Sequence, residues 1–111
     1  MKIMRLSQRI ALFCLITALA LPSLASAQAK GQDTFKAKCA MCHGADGSGS
    51  TPMGKSMGLK DLGSPAIQSI SDADLTAAIT NGKGKMPAYK GKLTDAQISD
   101  VVSYVRTLKK K

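Results

Sequence analysis

The five residues Cys39-Ala40-Met41-Cys42-His43 decide how the rest of this sequence is interpreted. Two residues separate Cys39 from Cys42, which places the two thiols about one helical turn apart, and His43 follows directly. A disulfide between these cysteines would close a loop too small to restrict the unfolded chain much. His43 is also the only histidine in the 111 residues. The three side chains therefore indicate a chemical task and not a structural staple.

Three kinds of chemistry use such a cluster: covalent attachment of haem, thiol–disulfide exchange and structural zinc. In a C-x-x-C-H sequence, two cysteines can form thioethers with two vinyl groups on one porphyrin edge, and the histidine then lies under the iron as proximal ligand. A thioredoxin-type dithiol needs flanking strands, and the sequence shows no strand alternation. A structural zinc site needs four ligands, and this cluster supplies three. The motif favours one covalent haem c on Cys39, Cys42 and His43.

The first 27 residues have the features of a cleaved export signal. Three basic residues precede the uncharged run 10–21, and Ala25-Ser26-Ala27 offers the small residues that a signal peptidase accepts. The run has twelve residues, whereas a membrane-spanning helix needs about 20. We expect cleavage before Gln28, a mature domain of residues 28–111, a periplasmic location and no stable membrane insertion.

Composition is that of a small globular protein, with 44% hydrophobic and 21% charged residues. Ten glycines, four prolines and no tryptophan leave few side chains to build a core, so a large apolar cofactor is expected to fill part of the interior. Loss of the signal removes three basic residues, which leaves 13 Lys and Arg against seven Asp and a net charge of +6. Nucleic acid is nevertheless not an expected partner, because export separates the chain from it.

Hydrophobic periodicity predicts an all-α fold with helices over 28–40, 71–82 and 94–108. Each of the last two begins with a Ser or Thr followed three residues later by a polar partner, as in a capping box. Glycine-rich or proline-containing stretches at 43–64 and 83–93 predict irregular loops. A loop as long as the first one needs something to fold against, and the cofactor would provide it.

Five groups of residues along the chain form one pattern. They are Gly31 with Phe35, Cys39 to Gly44, Ala45-Asp46-Gly47, Lys85-Met86-Pro87-Ala88-Tyr89 and Tyr104-Val105-Arg106. This pattern resembles the small monohaem class I cytochromes c, close to the cytochrome c6 and c551 types, over nearly all of 28–111. The resemblance implies three to four helices wrapped around one covalent haem. It also implies that Gly31 and Phe35 meet Tyr104 where the first and last helices cross, and that Met86 is the distal iron ligand.

Three other methionines of the mature chain compete with Met86 for the distal position. Met41 is pinned between the two cysteines and cannot swing to the opposite haem face. Met53 and Met57 are not excluded by reach, since the ten residues beyond the histidine can extend about 33 Å. Pro87 favours an extended backbone at Met86, which lets the thioether project from a loop. We predict Met86, with Met57 or Met53 as the alternatives.

Two axial ligands leave no open position on the iron, so one-electron exchange is the expected chemistry. The predicted function is a one-electron carrier between respiratory redox partners, not an enzyme, and we expect a monomer. Two further haem-based functions stay open: a ligand-binding or sensing protein in which Met86 dissociates, and an electron-transfer subunit docked on a larger oxidoreductase. A dithiol oxidoreductase is the remote alternative.

Lysines flank the predicted ligands in sequence, and a basic rim around the haem edge would attract partners with acidic docking surfaces. These lysines are Lys55, Lys60, Lys83, Lys85, Lys90 and Lys92. Two further residues are candidates for the cofactor site. Tyr89 would hydrogen-bond a haem propionate or serve as packing. The second ring nitrogen of His43 should donate to a backbone carbonyl, which we expect near Pro52.

Overall fold

The computed structural model describes residues 23–110, so the run 10–21 of the predicted export signal lies outside it. The described residues form six helices, three of them with ten or more residues. They are α1 (Leu24–Lys38), α2 (Ala40–His43), α3 (Pro52–Met57), α4 (Pro65–Gln68), α5 (Asp72–Asn81) and α6 (Asp95–Thr107). Within 23–110 the only β pairing is two isolated bridges, which agrees with the all-α prediction. No helix in this part of the chain has the length and apolarity needed to cross a bilayer.

The crossing of α1 and α6 forms the core. Phe35 on α1 is 1% exposed, and its ring centroid lies 5.2 Å from that of Tyr104 on α6. A Cβ atom at Gly31 would lie 2.5 Å from the carbonyl carbon of Asp100 and 3.1 Å from the Tyr104 Cβ, so only glycine allows the two backbones to approach this closely. The crossing implied by the resemblance is therefore confirmed.

Helices α5 and α6 begin where the capping patterns predict. The Ser71 hydroxyl accepts a hydrogen bond from the Asp74 backbone, while Thr94 and Gln97 form a complete reciprocal capping box. Gly82 ends α5, as predicted. The two helices differ in burial: α6 contributes five buried apolar residues, whereas α5 contributes none. The apolar face of α5 therefore needs another surface to cover it.

The segment 43–64 is more ordered than predicted, because it contains α3. A fourth helix, α4, follows directly after this segment. Both begin with a Ser or Thr N-cap followed by proline at the first helical position, Thr51-Pro52 and Ser64-Pro65. Proline favours this position because its fixed φ suits a helix and its missing N–H is not needed there. The prediction of an unbroken loop was wrong here, and this Ser/Thr-Pro signal is what it overlooked.

Arg106 ties α4 and the segment after it to α6. Its guanidinium donates to the carbonyl oxygens of Gln68 and Ile70 and pairs with the Asp72 carboxylate at 2.8 Å. The Gln68 side-chain amide in turn donates to the carbonyl of Val105 at 2.9 Å. These contacts fix one wall of the interior against the C-terminal helix.

Candidate haem site

The cysteine motif folds into a separate single turn directly after α1. The chain leaves α1 at Cys39, and the His43 amide donates to the Cys39 carbonyl at 3.0 Å. Gly44 ends the turn with a φ of 83°, a conformation that favours glycine. The Gly49 amide donates to the His43 carbonyl at 2.7 Å. The three side chains of the motif are therefore held on a short, closed segment.

Thr51 fastens the following helix to this turn. Its hydroxyl donates to the Cys42 carbonyl at 2.7 Å and accepts from the Gly54 amide at 2.9 Å, so one side chain caps α3 and binds the motif. A Cβ at Gly54 would lie 2.6 Å from the same Cys42 carbonyl oxygen. Sequence reasoning missed this contact, although Thr before Pro is a recognisable cap.

The motif opens onto two cavities of about 360 and 670 Å³ that share part of their lining. Both volumes fall in the range of small-molecule sites. Cys39, His43 and Met86 line both cavities, and Cys42 lines the smaller one. The shared lining is completed by Leu62, Ile67, Ala78 and Lys83. The structure therefore brings together all four residues predicted to hold the haem.

The four methionines of the described chain differ in their relation to these cavities. Met86 lines both and Met57 lines the smaller one. Met41 is 76% exposed and Met53 is 46% exposed, and neither is part of the lining. The Met53 sulfur lies 3.3 Å from the Cys42 sulfur. Position in the structure thus favours Met86 over Met53 but does not separate Met86 from Met57.

Met86 is presented by a tight turn after α5. Lys83 and Met86 exchange two backbone hydrogen bonds of 3.1 and 3.0 Å around Gly84 and Lys85. Gly82 allows this turn to fold back, because a Cβ there would lie 2.7 Å from the Met86 carbonyl oxygen. The predicted loop is therefore an ordered turn that projects Met86 toward the cavity.

The two further candidate site residues, Tyr89 and Pro52, differ in their relation to the cavities. Tyr89 lines the smaller cavity, and its hydroxyl donates to the backbone carbonyl of Lys38 at 2.9 Å. Pro52 is exposed at the start of α3 and lies outside both cavity linings. The Nδ1 atom of His43 is buried, and no described residue is its hydrogen-bond partner. The predicted bond from His43 to a carbonyl near Pro52 is thus not formed.

Burial sets the protonation of the motif. It raises the pKa of the Cys39 thiol to about 11, with the neighbouring Cys42 thiolate adding to the effect. A dithiol catalyst needs the opposite shift, since the thiolate is the nucleophile. Burial also lowers the pKa of His43, so its imidazole is neutral at pH 7 and keeps a lone pair for a metal.

Basic residues surround the smaller cavity, whose lining contains no Asp. Four lysines take part in the lining: Lys38, Lys60, Lys83 and Lys85. Of the other predicted lysines, Lys55, Lys90 and Lys92 are exposed outside it. The larger cavity has one acid, Asp74, in its lining.

Known proteins are similar to this chain in sequence and in fold. Residues 26–105 match a family described as cytochrome c oxidase, cbb3-type, subunit III. Cytochrome c6 of Nostoc sp. is 40% identical over 84 residues, covering 76% of this chain and 73% of the relative. Cytochrome c6 of Leptolyngbya boryana is 41% identical over 80 residues, covering 69% and 87%. The chain belongs to the class I cytochrome c family. A solved structure, the KustC0563 c-type cytochrome, superposes with a TM-score of 0.68 at 30% identity, over 72% of this chain and 98% of that one.

This cytochrome is an electron carrier with covalently bound haem c, not an enzyme. The residues present fit that cofactor. The larger cavity is lined by apolar side chains of α5 and of the segment before it, and no residue of α5 is fully buried. The buried Nδ1 of His43 leaves Nε2 as the ring nitrogen available to a ligand in the cavity. A flat apolar group bound there would cover the α5 face that the protein leaves half-exposed.

Proposed function

We propose that Cys39 and Cys42 bind the haem through thioethers, that Nε2 of His43 is the proximal ligand and that the Met86 sulfur is the distal ligand. The observation that carries this assignment is that all four side chains line one cavity whose walls are otherwise largely apolar. The neutral state favoured for His43 supports its role as a nitrogen donor. The chain has no second histidine, so a bis-histidine site within one subunit is excluded.

This ligand set suits an electron shuttle. The haem supplies a one-electron couple, and a distal thioether sulfur raises the reduction potential relative to a second nitrogen ligand. With both axial positions filled from the protein, no position on the metal remains for a substrate. The chain's own task is to hold these ligands in a largely apolar cavity and to present one edge of it to partners.

The lysines suggest how those partners bind. Lys38, Lys60, Lys83 and Lys85 line the smaller cavity, and their charges are not offset by any Asp in its lining. A positive rim of this kind attracts acidic docking surfaces and raises the association rate, most strongly at low salt. We propose redox proteins with acidic surfaces as the donors and acceptors.

We also propose export to the periplasm and a monomeric carrier of residues 28–111, which the uncharged run 10–21 and the small residues Ala25-Ser26-Ala27 before Gln28 support. Mass spectrometry of the protein in the periplasmic fraction tests this. The expected mass is that of residues 28–111 plus one covalent haem, whereas retention of residues 1–27 would contradict it. Sedimentation of the same material should give the monomer mass.

Matched methionine variants test the distal ligand. Met86→Leu should abolish the sulfur-to-iron charge-transfer absorption of the oxidised holoprotein and allow the reduced form to bind carbon monoxide. Met57→Leu, at the other methionine in the cavity lining, should change neither property. The reverse result, with Met57→Leu causing the loss, would transfer the assignment to Met57. Ready carbon monoxide binding by the unaltered protein would instead favour a sensing function.

Charge reversal tests the docking surface. Lys85→Asp should slow electron transfer to an acidic redox partner at low salt and flatten its dependence on ionic strength. Lys30→Asp, an exposed position on α1 outside both cavity linings, changes the net charge equally and should have a much smaller effect. Equal effects of the two substitutions would mean that only net charge matters and would contradict a specific basic rim.

A further inference from the structure

The segment 83–93, which carries Met86, is attached to the rest of the protein on two sides. On one side it is hydrogen-bonded to α5, through the Tyr89 amide to the Ile79 carbonyl and the Lys90 amide to the Thr80 carbonyl, each 3.0 Å. On the other side, the Tyr89 hydroxyl donates to the Lys38 carbonyl at 2.9 Å. Among the hydrogen bonds of residues 23–110, this is the one that joins the segment to α1.

The acceptor of this bond occupies a special place in the chain. Lys38 is the last residue of α1, and its carbonyl would normally accept from the amide four residues on. That amide, Cys42 N–H, donates to the Cys39 carbonyl instead. The Lys38 carbonyl is therefore one of the unsatisfied acceptors at a helix end, and Tyr89 supplies its partner. Cys39 follows immediately, so the bond connects the Met86 segment to the start of the haem-attachment motif.

We propose that Tyr89 is a positioning residue for the distal ligand: its hydroxyl, by binding the Lys38 carbonyl, holds the Met86 segment closed across the cavity. This inference rests on the proposed ligation by Met86. Without the bond the segment keeps its attachment to α5 but loses its attachment to α1, so Met86 leaves the iron more often. External ligands that compete with the methionine then bind more readily.

Tyr89→Phe removes the hydroxyl and keeps the ring. The ring lines the cavity and has the Lys92 ammonium 5.9 Å from its centroid, and both features remain in the variant. The affinity of the oxidised holoprotein for imidazole, followed by absorption, should rise about fivefold. This is the change in affinity that corresponds to the loss of one ordinary hydrogen bond, since a tenfold change corresponds to about 1.4 kcal/mol. Tyr104→Phe removes a hydroxyl from the core, outside both cavity linings, and should leave imidazole affinity unchanged.

Met86→Leu separates failure of this inference from failure of the ligand assignment. It should raise imidazole affinity strongly, and adding Tyr89→Phe to it should then have no further effect, because Tyr89 acts through Met86. If Met86→Leu leaves imidazole affinity unchanged, the ligand assignment is wrong. If Met86→Leu raises the affinity but Tyr89→Phe matches Tyr104→Phe, the positioning role of Tyr89 is overturned. An effect of Tyr89→Phe that persists in the double variant also overturns it.

Hydrogen exchange gives a second measurement that needs no added ligand. The amide of Met86 should exchange about fivefold faster in Tyr89→Phe than in the native protein. The amides of Val101 and Val102 on α6 should exchange at unchanged rates. Equal acceleration at both places would indicate general destabilisation and contradict a local role.

Discussion

Replacement of Gly31 by alanine tests how tightly α1 and α6 cross. In a helix interior this change gains about 1 kcal/mol of intrinsic propensity, so local preference alone predicts a more stable protein. The new Cβ would lie 2.5 Å from the Asp100 carbonyl carbon and 3.1 Å from the Tyr104 Cβ, whereas ordinary contact begins at 3.4 Å. Because the nearest atoms belong to the backbone, the helices must separate by at least about 0.9 Å, a gap that forfeits a quarter to a half of each affected van der Waals contact.

Overpacking of this kind costs about 1–3 kcal/mol, and a rigid backbone contact lies at the upper end of that range. After the propensity gain, Gly31→Ala should therefore lower the free energy of unfolding by about 2 kcal/mol. Guanidinium unfolding of the holoprotein measures it. Gly58→Ala is the control, since its Cβ meets nothing within 4 Å and its φ of 65° alone should cost about 1 kcal/mol. A Gly31→Ala protein as stable as the native one would refute the close crossing.

Three further substitutions have defined outcomes. Thr51→Val removes the α3 cap and the hydroxyl bound to the motif, and should lower the unfolding free energy by about 1–2 kcal/mol in guanidinium titrations. Arg106→Ala should lower the unfolding free energy by about 2 kcal/mol, because it leaves two backbone carbonyls without a hydrogen-bond donor. Asp72→Asn should lower it by less than about 1 kcal/mol, since the Asp72 side chain is 74% exposed. Equal losses in the two variants would assign the stabilisation to the ion pair. The Lys110 ammonium holds the pKa of Asp61 below its ordinary value of 3.8. The ion pair therefore stabilises the folded protein above pH 3.8, and this stabilisation is lost as the pH falls through the lowered pKa. Asp61→Asn should flatten the acid side of the stability profile, and an Asp61 carboxyl signal in NMR that titrates at 3.8 or above would contradict the pairing.

Sequence periodicity was sufficient for the long helices because their signals are local. Ser71, Gly82 and Thr94 lie at the ends of α5 and α6 as predicted, and each acts on backbone groups only a few residues away. The close approach at Gly31 became predictable only through resemblance. A glycine within a predicted helix indicates that a side chain would clash at that position, but the sequence does not show which distant residue it would clash with.

The other residues of the cavity walls were harder to predict than the cysteine motif. Spacing alone singles out Cys39, Cys42 and His43. Ile67, by contrast, lines the cavity from α4, which long-range hydrogen bonds fasten to α6. The partner of the Tyr89 hydroxyl is 51 residues away in sequence. No local pattern encodes such a contact, so sequence reasoning could propose a polar role for Tyr89 but not its acceptor.

The distribution of burial explains why the cofactor belongs to the fold as well as to the function. Seven apolar residues of the described chain are buried, and five of them lie on α6. Helix α5 has an apolar face formed by Leu75, Ala78 and Ile79, which the protein only half buries, and all three line the larger cavity beside the proposed haem ligands. Burying one large aliphatic side chain stabilises a protein by about 1.5–3 kcal/mol, so a face left half-exposed is a substantial loss in a domain this small. A haem bound in this cavity would supply the surface that α5 lacks, so the residues proposed to hold the iron and the residues that complete the core are neighbours along the same cavity wall.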